Sequence, residues 1–203
     1  SDAPIAPGIF GYQPIKTYEY NPEKARQLLA EAGYPNGFRT QLYSPSGRYL
    51  KDLEIAEAVQ AQLAEVGIQA QIETLEWATY LDFTSRPAEE SEAPMFLLGW
   101  GTVTGDADYG LFPLLHSSEW VPRGSNRTFY KNDRVDELLN LARTTPDPEA
   151  RLAAYKEAME IIMEDAPWLF LHAETQLTAI RTEVEGVIVH PTERIMAHGA
   201  RFR

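Results

Sequence analysis

The sequence predicts an α/β chain with a mixed or parallel sheet flanked by helices, and three observations carry that prediction. Segments with helical spacing of apolar residues alternate along the chain with short apolar or period-two runs. The stretch "IQAQIETL", residues 68–75, alternates apolar and polar side chains as a half-buried strand does. Of the 203 residues, 44% are hydrophobic and 24% charged, enough for a real core in one domain or in one lobe of something larger.

Residues 1–20 are rich in Pro and Gly and read as an extended connector. "YNPEKARQLLAEAGYPNGF" then carries a full set of helix signals: Asn21 to cap, Pro22 at the first helical position, Glu23 at the positive end of the dipole and Gly33 as the left-handed stop. Its apolar stripe is Leu28, Leu29 and Ala32, and a short strand follows near residues 38–43. Over residues 50–66, Leu53, Ala56, Val59, Leu63 and Val66 recur at helical spacing until Gly67. Residues 77–84 form a shorter helix, 85–94 a loop, and 95–99 a buried apolar strand. Helices are expected at 133–142 and 148–164, the latter with Leu152, Tyr155, Ala158, Met159 and Ile162 inward. "WLFLHAETQLTAIR" reads as two strands or a strand and its return, and "VEGVIVHP" as a final strand.

A net charge of −12 opposes binding to phosphate backbones and anionic lipids, so nucleic acid is not an expected partner. The absence of cysteine excludes disulfides, a thiol nucleophile and thiolate-bound zinc. His116, His172, His190 and His198 lack the spacing that sets two imidazoles on one helix face, so neither metal nor cofactor is expected. No nucleophile elbow or Gly-rich phosphate loop is present. No basic-then-apolar leader opens the sequence, so any export signal would lie outside it.

The segment "GWGTVTGDADYG" leaves the carboxyl end of the most apolar strand, where ligands gather in open α/β sheets. Trp100 offers an aromatic wall, Thr102 and Thr104 offer hydroxyls, and Asp106 and Asp108 offer partners for an ammonium group. The competing reading is a turn in which Asp106 caps a helix beginning at residue 107 or 108. A glycosidase-like pair of Asp106 and Asp108 would need two carboxylates facing across a substrate, whereas residues two apart in a turn diverge. Arg48, in "YSPSGRYLKDLE", joins a strand to a helix N-terminus, where free N–H groups welcome anions and a guanidinium fork can hold a carboxylate. A solvated loop arginine is the alternative.

Several stretches in order resemble the C-terminal half of bacterial extracellular solute-binding proteins of family 5, receptors of peptide and nickel ABC importers. They are "YNPEKARQLLAEAGYPNGF", "AEAVQAQLAEVGIQAQIETLEWATYL", "LLGWGTVTGDADYGLFPLL", the run from "SNRTFYKNDRVDELL" to "MEDAPWLFL", and "VEGVIVHP". The resemblance implies one lobe of a type II periplasmic-binding-protein fold: a connector at 1–20, a ligand-binding lobe at 21–185, and a return toward a missing N-terminal lobe at 186–203. It implies a receptor on the periplasmic or extracellular face of the membrane, lipid-anchored in a Gram-positive host, that delivers a short peptide or glutathione-like ligand to an ABC permease.

In the family the segment matching residues 99–108 lines the cleft, so Trp100, Gly101, Thr102, Val103, Thr104, Asp106 and Asp108 become ligand contacts. Arg48 and Arg127 become carboxylate contacts, with Asn126 and Tyr130 beside Arg127. Dipeptide and oligopeptide receptors hold the ligand's ammonium with an aspartate where this chain has Val103, and the "GW-x-T-x-T-G" form is similar instead to the glutathione-binding branch. Oligosaccharide, opine and nickel-chelate ligands are the alternatives on the same scaffold, and a hydrolase using Asp106 and Asp108 is the rival class.

Overall fold

The computed structural model describes residues 1–190, 192 and 194–203. The chain forms two compact units: Tyr18–Gly99, and Ser1–Thr17 together with Trp100–Arg203.

In the Tyr18–Gly99 unit, α1 (Pro22–Glu31) starts as its sequence requires, with the Asn21 side chain accepting the Lys24 N–H and Pro22 in the first turn. Its apolar stripe is not a core face. No residue of α1 is buried and Leu28 is 52% exposed, so the helix is held by its caps and by Arg26 donating to the Glu65 carbonyl. β1 (Phe38–Pro45), α2 (Asp52–Glu65) and β2 (Ile68–Leu75) form a β-α-β unit, with the strands parallel from Phe38↔Ile68 to Pro45↔Leu75. The entries to the two strands pass so closely that a Cβ on Gly37 would lie 1.9 Å from the Gly67 carbonyl oxygen. Both residues also sit at positive φ, which makes glycine the fitting residue twice over.

Leu42, Ala56 and Ala70 make a small core with Val59, Leu63 and Ile72 against it. Leu53 is 41% exposed and Asp52 takes the buried place beside it, a departure from the expected stripe explained below. α3 (Trp77–Thr84) is capped by Glu76, whose carboxylate accepts the Ala78 and Thr79 N–H groups. It buries Tyr80, whose hydroxyl donates to the Leu97 carbonyl.

Residues 95–99 do not form the buried strand expected of them. They make one parallel bridge to β1, with the Tyr43 N–H donating to the Met95 carbonyl and the Leu97 N–H to the Tyr43 carbonyl, both at 2.9 Å. Met95 to Leu98 are half-buried, because no further strand among the described residues covers their outer side.

The second unit is built on three helices: α4 (Ala107–Leu115), α5 (Asp133–Thr144) and α6 (Pro148–Asp165). Leu111, Leu115, Leu139, Met159 and Ile162 are fully enclosed at its centre. α6 turns Tyr155, Ala158, Met159 and Ile162 inward as its periodicity requires, while Leu152 is half-buried. Residues 1–17 carry no helix and no strand longer than a single bridge, yet they are a packed part of this unit. Ala3 and Ile5 are buried, and Phe10 pairs with Asp106, because the apolar residues among the prolines and glycines have a core to enter.

The strands expected in 168–181 do not form. That stretch carries neither helix nor strand, and Leu177 is 87% exposed. Two-residue antiparallel pairs follow: β3 (Val184–Glu185) with β6 (Arg201–Phe202), and β4 (Ile188–Val189) with β5 (Ile195–Met196). The single final strand expected over 184–191 is divided into β3 and β4 and is followed by β5 and β6, and residues 191 and 193 fall outside the described residues. Among the described residues no helix is long and apolar enough to cross a membrane.

Truncating the enclosed Leu111 to Ala should lower unfolding free energy by about 2–5 kcal/mol, as for other core leucines. Urea titration followed by circular dichroism measures it.

Candidate functional site

Residues 100–106 and the start of α4 are held by backbone bonds as well as by side chains. The Gly105 N–H donates to the Thr102 carbonyl at 3.0 Å, closing a turn with Gly105 at φ +73°. Phe10 then clips the turn on both sides: its N–H donates to the Gly105 carbonyl at 2.9 Å and its carbonyl accepts the Ala107 N–H at 2.8 Å.

Trp100 is held by a gap in α4. Pro113 lies inside the helix and has no N–H to give the carbonyl of Tyr109, four residues earlier. The Trp100 indole Nε1–H donates to that carbonyl at 2.8 Å, and its ring stacks on Tyr109 at 5.4 Å. Thr102 is half-buried, with Oγ1 close against Gly110, where an added Cβ would lie 3.1 Å away. Gly101, Val103 and Thr104 are left at the surface, Val103 with 36% of its area exposed.

Asp106 is satisfied from within its own unit. Its side chain caps α4 by accepting the Asp108 N–H at 3.0 Å. Arg151 Nη2 donates to both carboxylate oxygens at 2.9 Å, and the Tyr155 hydroxyl donates to Oδ1 at 3.2 Å. Burial chiefly, with the neighbouring Asp106 charge, pushes the Tyr155 phenol up to about 12, against the lowering influence of Arg151. Tyr155 therefore stays a neutral donor at any pH the protein meets.

Asp108 forms an ion pair with Arg143, Nε to Oδ1 at 3.1 Å, although the contact is not aligned as a hydrogen bond. Burial raises its carboxyl above the ordinary aspartate value, and the Arg143 charge draws it back only partly. The Arg143 guanidinium lies over the Phe112 ring at 3.8 Å. Each acid thus answers its own arginine, and the pair does not form the facing carboxylates of a glycosidase. The capping reading of Asp106 is the one its geometry satisfies.

Arg127 is half-buried and donates from Nη1 to the Ser125 carbonyl at 3.3 Å. Its neighbour Asn126 is fully buried and organises the loop before α5. Its amide donates to the His116 and Tyr130 carbonyls, and its oxygen accepts the Tyr130 N–H. His116 is structural: Nδ1 accepts the Ser118 N–H, Nε2 meets the Asn140 amide, and the ring stacks on Phe112. Among the described residues no group of three His, Cys, Asp or Glu side chains could hold a metal.

Arg48 belongs to the other unit. The buried Asp52 carboxylate takes N–H groups at the entry to α2, one of them, Leu53, within the helix. Oδ2 accepts from Arg48 N at 2.9 Å and Tyr49 N at 3.3 Å, while Oδ1 accepts from Leu53 N. The Arg48 guanidinium itself has no ion-pair partner among the described residues. It rests 4.8 Å from the Tyr49 ring centroid and 5.1 Å from that of Trp77.

The family model for bacterial extracellular solute-binding proteins, family 5 Middle, matches residues 1–122, and the chain belongs to that family. It is similar to the glutathione-binding protein of Escherichia coli strain K12, 39% identical over 194 residues, covering 92% of this chain and 36% of that protein. Among solved structures it resembles the periplasmic binding protein DppA from Helicobacter pylori in complex with the peptide STSA, with TM-score 0.73 and 39% identity over 82% of this chain and 32% of that one. It also resembles the dipeptide-binding protein from Pseudoalteromonas sp. SM9913 in complex with Met-Leu, with TM-score 0.80 and 26% identity over all of this chain and 40% of that one. The chain thus spans little more than a third of the length of the curated relatives it matches.

Two predictions follow from the acids. Asp106→Ala should destabilise the chain by about 2–4 kcal/mol, the sum of a lost helix cap and lost charge-assisted hydrogen bonds. Combining it with Arg151→Leu should be far from additive, as a double-mutant cycle of urea titrations would read. Burial alone would raise the Asp52 carboxyl, but four backbone N–H donors, from residues 47, 48, 49 and 53, hold it below the ordinary 3.8. Its stabilisation is therefore complete above the unfolded value of 3.8 and lost as pH falls through the lower folded value. Unfolding titrations from pH 6 down to about 2 should show this acid-side loss in the native chain and a smaller one in Asp52→Asn.

Proposed function

We propose that this chain is the C-terminal lobe of the substrate-binding component of an ABC importer, taking a short peptide or a glutathione-like molecule and passing it to a membrane permease. In this reading the ligand lobe expected at 21–185 also takes in residues 1–17, whose Ala3 and Ile5 are buried in its core, and residues 186–203 lead to an N-terminal lobe in the rest of the protein. The observation that carries the proposal is the loop at 100–106, fixed by Phe10, Trp100 and Asp106 while Gly101, Val103 and Thr104 stay open. A loop held in that way presents its exposed residues to a ligand without the entropic cost of ordering itself.

Trp100 supplies a wall, and Thr102 and Thr104 supply polar contacts. Asp106 neutralises Arg151 and contributes by shaping the loop. Asp108, whose pair with Arg143 is imperfectly aligned, is the acid left to meet a ligand ammonium. Arg48 and Arg127 meet carboxylates. The relatives, a glutathione-binding protein and dipeptide- and peptide-bound receptors, support this ligand class. Binding and release without bond chemistry, on the periplasmic or outer face of the membrane, complete the reading.

Native mass spectrometry of the gently purified full-length receptor tests it. An added mass matching glutathione or a short peptide is the expected result. A spectrum of bare protein after incubation with both would overturn the ligand class and point to sugars or opines. Arg127→Ala should weaken binding by about 1.5–3 kcal/mol, the range for hydrogen bonds to charged groups. Calorimetry reads the change, and an unaltered affinity removes Arg127 from the site.

A further inference from the structure

Arg48 is the exposed arginine whose surroundings look prepared. Its backbone is pinned, since its own N–H and that of Tyr49 both donate to the buried Asp52 carboxylate. Its guanidinium sits in the angle between two rings that meet edge-on, Tyr49 and Trp77, with centroids 5.9 Å apart and planes 80° apart. Neither ring is free to drift. Trp77 stacks on Tyr80 at 5.9 Å and 17°, and Tyr80 is fully enclosed with its hydroxyl on the Leu97 carbonyl. Tyr49 lies against Gly99, where a Cβ would come within 2.8 Å of its ring, and its hydroxyl donates to the Gly99 carbonyl at 3.3 Å.

A surface arginine ordinarily samples many rotamers, and ordering it on binding costs affinity. Aromatic rings satisfy the faces of a guanidinium and leave the N–H donors at its rim for a planar acceptor. No carboxylate of the chain takes those donors among the described residues, in a unit richer in acids than in bases. The Leu53 amide in the first turn of α2, and the Arg48 and Tyr49 amides just before the helix, are already taken by Asp52.

We propose that Trp77 and Tyr49 are positioning residues that hold the Arg48 guanidinium pre-set for a ligand carboxylate. The inference rests on the carboxylate reading of Arg48 given above and extends it to residues that touch no ligand themselves. It also implies that lysine cannot replace Arg48, since an ammonium has neither the planar face nor the fork.

Two readouts test it. In the 203-residue chain, the Arg48 Nε–Hε resonance should be shifted upfield by the ring currents and show restricted motion. Trp77→Leu should abolish both signatures and Trp77→Phe should retain most of them. A mobile, unshifted Arg48 in the native chain, or one indifferent to Trp77→Leu, overturns the inference. In the full-length receptor, Trp77→Leu should weaken glutathione about 3- to 10-fold, the scale of ordering one long side chain, with Trp77→Phe restoring it. Glutathione with both carboxylates converted to amides should change by less than about 2-fold, as for uncoupled groups. Equal losses for acid and amide would mean a structural role only and would sink the proposal. If the native receptor ignores glutathione while the resonance behaves as described, the ligand class fails and the positioning role stands.

Discussion

The contact between Asp106 and Arg151 is the constraint on which the candidate loop depends. One carboxylate ends the 100–106 turn, begins α4 and binds α6, so three parts of the unit meet at four oxygen contacts. Both side chains are less than a third exposed, at 29% and 23%, so each would be costly to leave alone. Such a pair is weak evidence for added stability, because an apolar pair of the same volume could pack as well. Its contribution is geometric: it admits one orientation of the loop on the helices and rejects those that would separate the charges.

The neighbouring Trp100 illustrates how an apparent defect is used. A proline inside a helix orphans a carbonyl, and an orphaned carbonyl in a packed setting must find a donor. The indole satisfies Tyr109 from outside the helix, so the missing backbone bond becomes the reason the ring lies where it does. The ring's place is thus specified by α4, and the loop that carries it inherits that register.

Much of this was legible in the sequence because it is local. Asn21, Pro22 and Gly33 announced α1, period-two alternation announced β2 over its full length, and the 3.6 spacing of Tyr155, Met159 and Ile162 announced the face of α6. The capping alternative for Asp106 was also readable, since an aspartate before a helical run needs no distant partner. What could not be read was set by distant contacts. Nothing local marks Arg151 as the partner of a residue 45 positions earlier, or Tyr80 as the base under Trp77. Residues 95–99 and 168–181 have strand composition, but a strand requires a neighbour, and only a single bridge forms in the first and none in the second. α1 carries apolar residues at helical spacing with little to pack against, so periodicity alone overstated its burial.

Phe10 has a practical consequence. Both bonds of the backbone clip on the turn before α4 involve Phe10, far earlier in the chain, in a stretch whose composition reads as an extended connector. Gly11 beside it admits Ala107 so closely that an added Cβ would fall 2.6 Å from the alanine's own. Trimming the first dozen residues for convenience of expression would remove that clip together with the buried Ala3 and Ile5. Whatever is measured on such a preparation would report the choice of N-terminus.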